Sequence, residues 1–327
     1  MLQYELDRLN HKDVRQRRMA VRRLFEIDDS TALAAFIDLL DDDDEWFVGK
    51  SIDALRRWVD SGHRPIVVTL SVRSEERLRM LAAELAPRIG TEALPILSTL
   101  CSDDNHSVRR DAWKARLKVD AGTIPVAIEN EDHNIRKLAV SHSGDPEILE
   151  QMLSDSHLRV REAALDQMIA IHHSPPILDQ LLDGPLGIKA AKLRLPNLIA
   201  DEETSTIASL CIDPEPAMRN LLAKNLDDVA WLSWSDVVSA ARNSTDELLL
   251  PRLLRSRRES EADHLRLELL ENGSSASRIR VLEHLHGRPI PESIATMLPD
   301  LATDSDPIIA QAASSLIADS RALETDV

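Results

Sequence analysis

Aromatic residues make up only 3% of this 327-residue chain, so its core must be built from Leu, Ile, Val and Ala. Glycine is scarce too, at nine residues, which is too few for an all-β protein full of tight turns. No apolar run approaches the ~18 residues that a membrane-spanning helix needs, so no membrane association is expected. The opening MLQYELDRLNHKD is broken up by charge and does not read as a secretory leader. Also missing are a Gly-rich phosphate loop, C-x-x-C, H-E-x-x-H and G-x-S-x-G. We therefore expect no catalytic residue, no cofactor and no metal, and read the chain as non-enzymatic.

What the chain does contain is a repeat. Its clearest copy is Asp155–Met168, DSHLRVREAALDQM. An acid and a histidine form a turn, and the pair Val160-Arg161 opens a helix whose apolar stripe is Val160, Ala164, Met168 and Ile171. The same anchor pair is legible at Val14-Arg15, Leu78-Arg79, Val108-Arg109, Ile135-Arg136, Ile188-Lys189, Met218-Arg219 and Ile279-Arg280. Weaker copies fall at Val48-Gly49, Leu249-Leu250 and Ile308-Ile309. The anchors are 25 to 34 residues apart, a period that marks stacked repeats. Each unit reads as two helices. The first carries leucines at helical spacing and often a proline in its first turn, where the N–H has no helical partner anyway: Pro65, Pro95, Pro125, Pro146, Pro175 and Pro291. An acidic turn follows, whose Asp can cap the second helix. The expected fold is all-α, an α-solenoid of about eleven two-helix units forming one domain over 1–327. Irregular units are expected near 41–62, where the turn becomes DDDDEW, and near 230–261, where the phase blurs.

The pattern Asp-x-x-x-(x)-Val/Ile-Arg-x-x-Ala, clearest at 104–112, 132–139 and 155–164, resembles the HEAT family of helical repeats. It is most like the short, roughly 30-residue class first described in phycobilisome lyases. The resemblance implies a curved right-handed solenoid with second helices on its concave side. It implies little about activity, because the family is a scaffold that hosts many functions.

The two cysteines, Cys101 and Cys211, each end the apolar stripe of a first helix, four repeats apart. At ~10 Å per stacked helix a disulfide, which needs Cα atoms within ~7 Å, is excluded. Both read as small buried residues, which fits a reducing, cytoplasmic compartment. His11, His106, His133 and His157 recur just before the anchors. The same ~10 Å spacing argues against a shared metal and for polar residues at helix N-termini.

The charge of −17 is uneven. Residues 1–120 hold 20 Lys+Arg against 22 Asp+Glu, and residues 121–327 hold 19 against 34. Strong acidity opposes non-specific nucleic-acid binding, but only weakly in the first third. Apart from Arg8, Arg64, Arg242, Arg266 and Arg321, the cations fall in second helices or the turns beside them. The anchor arginines can lie along the apolar stripe and pair with a neighbouring acidic turn. The repeat does not require Arg17, Arg18, Arg22, Arg110, Lys114 or Lys118. With Trp113, which sits between Arg110 and Lys114 and could stack on a ligand, they are the candidate partner-binding residues of a basic concave face. The leading expectation is a scaffold that binds a protein partner there. The alternatives are a nucleic-acid-binding protein, related to DNA repair, using the N-terminal basic groove, and a cofactor-attaching lyase-like enzyme. Some DNA glycosylases for alkylated bases are built from HEAT-like repeats, which supports the first alternative, although no motif carries their catalytic residues over.

Overall fold

The computed structural model describes residues 1–325, and no strand occurs among them. The helices come in pairs that fall into two units, residues 1–167 and 168–327. In the first, α1 (Leu2–Arg8) pairs with α2 (Val14–Ile27), α3 (Leu33–Asp38) with α4 (Glu45–Trp58), and α5 (Arg64–Ser71) with α6 (Glu76–Leu85). Then α7 (Leu94–Leu100) pairs with α8 (His106–Val119), α9 (Ile124–Ala127) with α10 (His133–Val140), and α11 (Pro146–Met152) precedes α12 (Leu158–Ala170), in which the boundary between units falls. In the second, a 3-10 segment (Pro176–Leu181) pairs with α13 (Gly187–Ala200), α14 (Thr204–Ile212) with α15 (Pro216–Asn225), and α16 (Ser235–Arg242) with α17 (Leu249–Leu253). Last come α18 (Ser260–Asn272) with α19 (Ser275–Leu285), and the short α20 (Glu292–Ala295) and α21 (Leu298–Leu301) with α22 (Pro307–Thr325). Second helices also touch their neighbours: α2 meets α4, α6 meets α8 and α8 meets α10 in the first unit, and α13, α15, α17, α19 and α22 form a row in the second.

The core is aliphatic. Val108 and Ala112, and likewise Val160, Ala164 and Met168, are fully buried at i, i+4 spacing. Ile171 is not part of that stripe: α12 ends at Ala170, His172 turns left-handed at φ 55°, and Ile171 is left 38% exposed. Pro65, Pro95, Pro125 and Pro146 occupy the first turns of α5, α7, α9 and α11.

Several of the turns before the second helices share one hydrogen-bonded form. The cap side chain accepts a backbone N–H two residues on, as Asp44 does from Trp46, Asn105 from Ser107 and Asp132 from Asn134. Two residues earlier, a second Asx side chain accepts the N–H of the cap residue itself: Asp42 from Asp44, Asp103 from Asn105, Asn130 from Asp132, Asp155 from His157 and Asp304 from Asp306. The anchor arginine lies four residues after the cap. Its Nη1 reaches back to two carbonyls of its own turn, those of Arg73 and Ser74 for Arg79, Asp103 and Asp104 for Arg109, Asn130 and Glu131 for Arg136, and Asp155 and Ser156 for Arg161. The rest of the fork reaches the next turn. Arg79 grips Asp103 at 2.7 and 3.1 Å, and Arg136 grips Asp155 at 2.7 and 3.0 Å.

Counting from the caps corrects six anchors. In α13 the cap Leu186 puts the fourth residue at Ala190 instead of Lys189, and in α17 the cap Leu248 puts it at Arg252 instead of Leu250. In α2 the cap is Asp13, so the anchor is Gln16-Arg17 and not Val14-Arg15, and Val14 is 43% exposed. Arg17 pairs with Asp42, donates through Nε to the Leu9 carbonyl at 2.8 Å, and lies 4.0 Å over the Phe47 ring. In α19 the anchor is Ser277-Arg278, with Arg278 on Asp304 at 2.6 Å, rather than Ile279-Arg280. In α22, Ile309 is buried and Ile308 is 58% exposed, reversing their expected roles. In α4, Phe47-Val48 takes the place assigned to Val48-Gly49.

The two irregular stretches have physical explanations. The run DDDDEW is a junction of ion pairs: Asp42 and Asp44 take Arg17 and Arg18, while Asp41 and Glu45 take Arg73 and Arg77. Near 230–261 the pairing of helices continues, but the second helix, α17, is cut to five residues.

Two predictions follow from the core and the turns. Val108→Ala and Val160→Ala should each cost roughly 1–3 kcal/mol through lost burial and a cavity, with hydrogen-exchange protection falling mainly in the neighbouring helices. Protection lost evenly along the chain would contradict this. Arg136→Ala should cost about 1.5–3 kcal/mol, the weight of hydrogen bonds to a charged group. The Arg136 guanidinium holds the Asp155 carboxyl below its ordinary value of 3.8, so this stability is present above that pH and lost as pH falls through the folded-state value. The gap between the two proteins in urea unfolding should therefore narrow in acid, below pH 3.8, leaving the part due to the Asn130 and Glu131 carbonyls.

Candidate functional site

Three second helices of the first unit, α4, α6 and α8, bound a groove of about 440 Å³. Each contributes residues from a stripe adjacent to its buried one. On α8 these are Asp111, Lys114, Ala115 and Lys118; on α6, Arg77, Met80, Leu81 and Glu84; on α4, Ile52 and Arg56. The spacing i, i+3, i+4, i+7 puts such residues on one helix face. Ala83 and Pro87 complete the lining. Ile52, Met80 and Pro87 are partly exposed, so the floor offers apolar surface to a visitor.

Most of the charges at its edge are already matched. Arg56 grips Glu84 through Nε and Nη2 at 2.9–3.1 Å, and Arg77 reaches Glu45 on α4 at 2.8 Å. Asp111 lies 3.6 Å from Arg110. Lys114 and Lys118 are exposed and form no ion pair among the described residues. They are the uncompensated charge of the groove.

The seven residues singled out from the sequence therefore part company. Lys114 and Lys118 line the groove, and Arg110 stands beside it on the same helix. Arg17 and Arg18 lie on α2, paired with Asp42 and Asp44, and Arg18 covers Trp46 at 5.1 Å. Arg22 is exposed on α2 and does not line the groove. Trp113 is 5% exposed and packs in the core, with the Arg116 guanidinium 5.1 Å over its ring. The sequence reading missed Ile52, Arg56, Arg77, Met80, Glu84 and Pro87. The signal that marks them is a second stripe on each second helix, offset from the anchor stripe.

The histidines call for one correction. His133 and His157 are not ~10 Å apart, the interval between helices: their rings stack at 3.7 Å with planes 11° apart. His157 caps α12, its Nδ1 accepting the Arg159 N–H at 3.3 Å, and its imidazole is pushed below its ordinary value, first by burial and then by His133. No group of three His, Cys, Asp or Glu among the described residues could hold a metal ion. No helix there is long and apolar enough to cross a membrane. Both cysteines are free and buried. No protein-family model matches the chain, and no curated protein sequence matches it.

The thiols provide a check on this packing. Burial pushes Cys101 up to about 11, against a smaller pull from Arg116, and Cys211 up to about 12. The thiolate is the reactive form. Iodoacetamide at pH 8 should therefore leave both unmodified in the native protein and alkylate both in urea, as read by mass spectrometry. Rapid native labelling of either would contradict the packing around it.

Proposed function

We propose that this chain is a non-enzymatic scaffold that holds a protein partner on the face formed by its second helices. In this reading its paired helices stack as an α-solenoid of about eleven HEAT-like repeats. The groove between α4, α6 and α8 carries the proposal. It combines an apolar floor with two uncompensated lysines on one edge. The segment that suits it has one apolar side chain flanked by acidic residues. Burying a side chain of Leu or Phe size contributes about 1.5–3 kcal/mol, while Lys114 and Lys118 supply register and speed of encounter more than affinity. A nucleic-acid backbone is less well served. Arg17, Arg18, Arg73 and Arg77 are already bound to the acids of the 41–45 run, which would have to be displaced.

The test is anisotropy with labelled acidic peptides, each bearing one central Leu or Phe, against wild type and Lys114→Glu/Lys118→Glu. Binding to the variant should weaken roughly tenfold or more, while stability stays within about 0.5 kcal/mol, as for ordinary surface changes. Equal binding by both proteins would refute the groove. Preference for nucleic acid, lost by about 200 mM salt, would establish the alternative.

A further inference from the structure

The second unit carries an uncompensated cluster of arginines on its own row of second helices. The row formed by α15, α17 and α19 passes through α17, which has only five residues. Two adjoining clefts of about 230 and 470 Å³ lie along it, sharing Asn220 and Arg252. Six cations line them: Arg219, Lys224, Arg252, Arg255, Arg280 and Arg288. Arg219 is held by Asp246 at 2.9 Å, and Arg280 by Glu283 at 2.7 Å. The one carboxylate in the lining, Asp227, receives the Ser256 hydroxyl. The other four cations form no ion pair among the described residues, and Arg288 donates only to the Arg255 carbonyl, at 2.7 Å. Arg252 and Arg288 are half-buried.

That these charges converge is visible at a neighbour that lines neither cleft. Burial pushes His284 down to about 4, and Arg255, Arg280, Arg288 and Arg252 add to the effect in that order. Like charges gathered in partly buried space repel, and here the repulsion persists in a stretch of sequence rich in acids. The second helices of the first unit solve the same problem with carboxylates, as Arg56 does with Glu84 and Arg77 with Glu45.

We propose that these clefts bind a small molecule carrying two or more phosphoryl groups. The cations are mostly arginine, whose planar fork matches phosphate oxygens two at a time. Arg252 and Asn220 stand between the clefts, where they can serve phosphoryl groups seated on either side. Leu248 and Ala223 are the apolar residues in the lining, so the clefts have no floor of large apolar side chains such as Ile52 and Met80 give the groove on the first unit. The proposal is independent of the groove on the first unit.

The test is calorimetric titration of the full chain with pyrophosphate, tripolyphosphate and inorganic phosphate at low salt, with thermal unfolding in parallel. Pyrophosphate and tripolyphosphate should bind and raise the melting temperature in proportion to the logarithm of their concentration, and inorganic phosphate should bind more weakly. Arg252→Gln should weaken pyrophosphate roughly tenfold or more, the weight of one charge-assisted pair. Without ligand, Arg252→Gln/Arg288→Gln should melt no lower than wild type, because it removes repulsion. Lys114→Glu/Lys118→Glu should bind pyrophosphate unchanged. Failure of the folded wild type to bind either polyphosphate, or equal binding by Arg252→Gln, would overturn the proposal. So would tighter binding of an acidic peptide than of tripolyphosphate at the same site.

Discussion

The guanidinium fork that ties one turn to the next is the interaction on which this architecture rests. At each complete junction a single carboxylate has two tasks. Asp103 and Asp155 close their own turns by accepting the cap N–H, and each also receives the arginine of the preceding second helix. The arginine in turn satisfies two carbonyls of its own turn, so one side chain serves backbone on both sides of the junction. A buried carbonyl or carboxylate left unpaired is costly, so neither partner can be changed alone without exposing the other. Where the chain departs from the scheme, the departures come in matched sets. Val48 stands where α4 would carry its arginine, and Arg73 stands where the next turn would carry its aspartate. Arg73 instead reaches back to Asp41 at 2.8–2.9 Å. Arg109 faces a turn with Asn130 in the aspartate's place, and it keeps only its carbonyl contacts.

This arrangement changes how the net charge is to be understood. A total of −17 suggests an acidic surface, yet many acids are committed to the junctions. In both proposals the cations that bind are those left over. Lys114 and Lys118 in the first unit, and Lys224, Arg252, Arg255 and Arg288 in the second, are such residues. Residue type alone does not separate them from Arg17 or Arg79, because a ladder arginine and a free one look alike until the caps are placed.

That ambiguity marks the limit of what could be read from the chain. The helical class and the pairing of helices were legible, because scarce glycine, first-turn prolines and a period of about 30 residues each act locally. Anchor positions were legible where the apolar-Arg pair coincides with the fourth residue after the cap, as at Arg79, Arg109, Arg136, Arg161 and Arg219. They failed in α2 and α19, where the true anchors, Gln16-Arg17 and Ser277-Arg278, begin with a polar residue and an apolar-Arg pair lies two residues away. Val14-Arg15 and Ile279-Arg280 fit the motif, but the cap fixes the helical phase and the motif does not. Trp113 misled for a related reason. Flanking cations suggested an exposed ring, whereas position 113 follows the buried Ala112 and turns into the core.

The two charged surfaces differ in what they can hold, and the difference follows from what lies beneath the charge. In the first unit, α4, α6 and α8 have 14, 10 and 14 residues, long enough to carry a continuous second stripe. Their outward faces supply the partly exposed Ile52 and Met80 as well as lysines. Affinity there can come from apolar burial, with charge setting orientation. In the second unit α17 is too short to present such a stripe, and the clefts along its row are bounded by guanidinium groups and Asn220. Affinity there must come from charge-assisted hydrogen bonds, which demand a ligand that brings its own dense negative charge. On the two proposals, a peptide is held where the second helices are long and an anion where one is short, while the same junctions hold the pairs in both units.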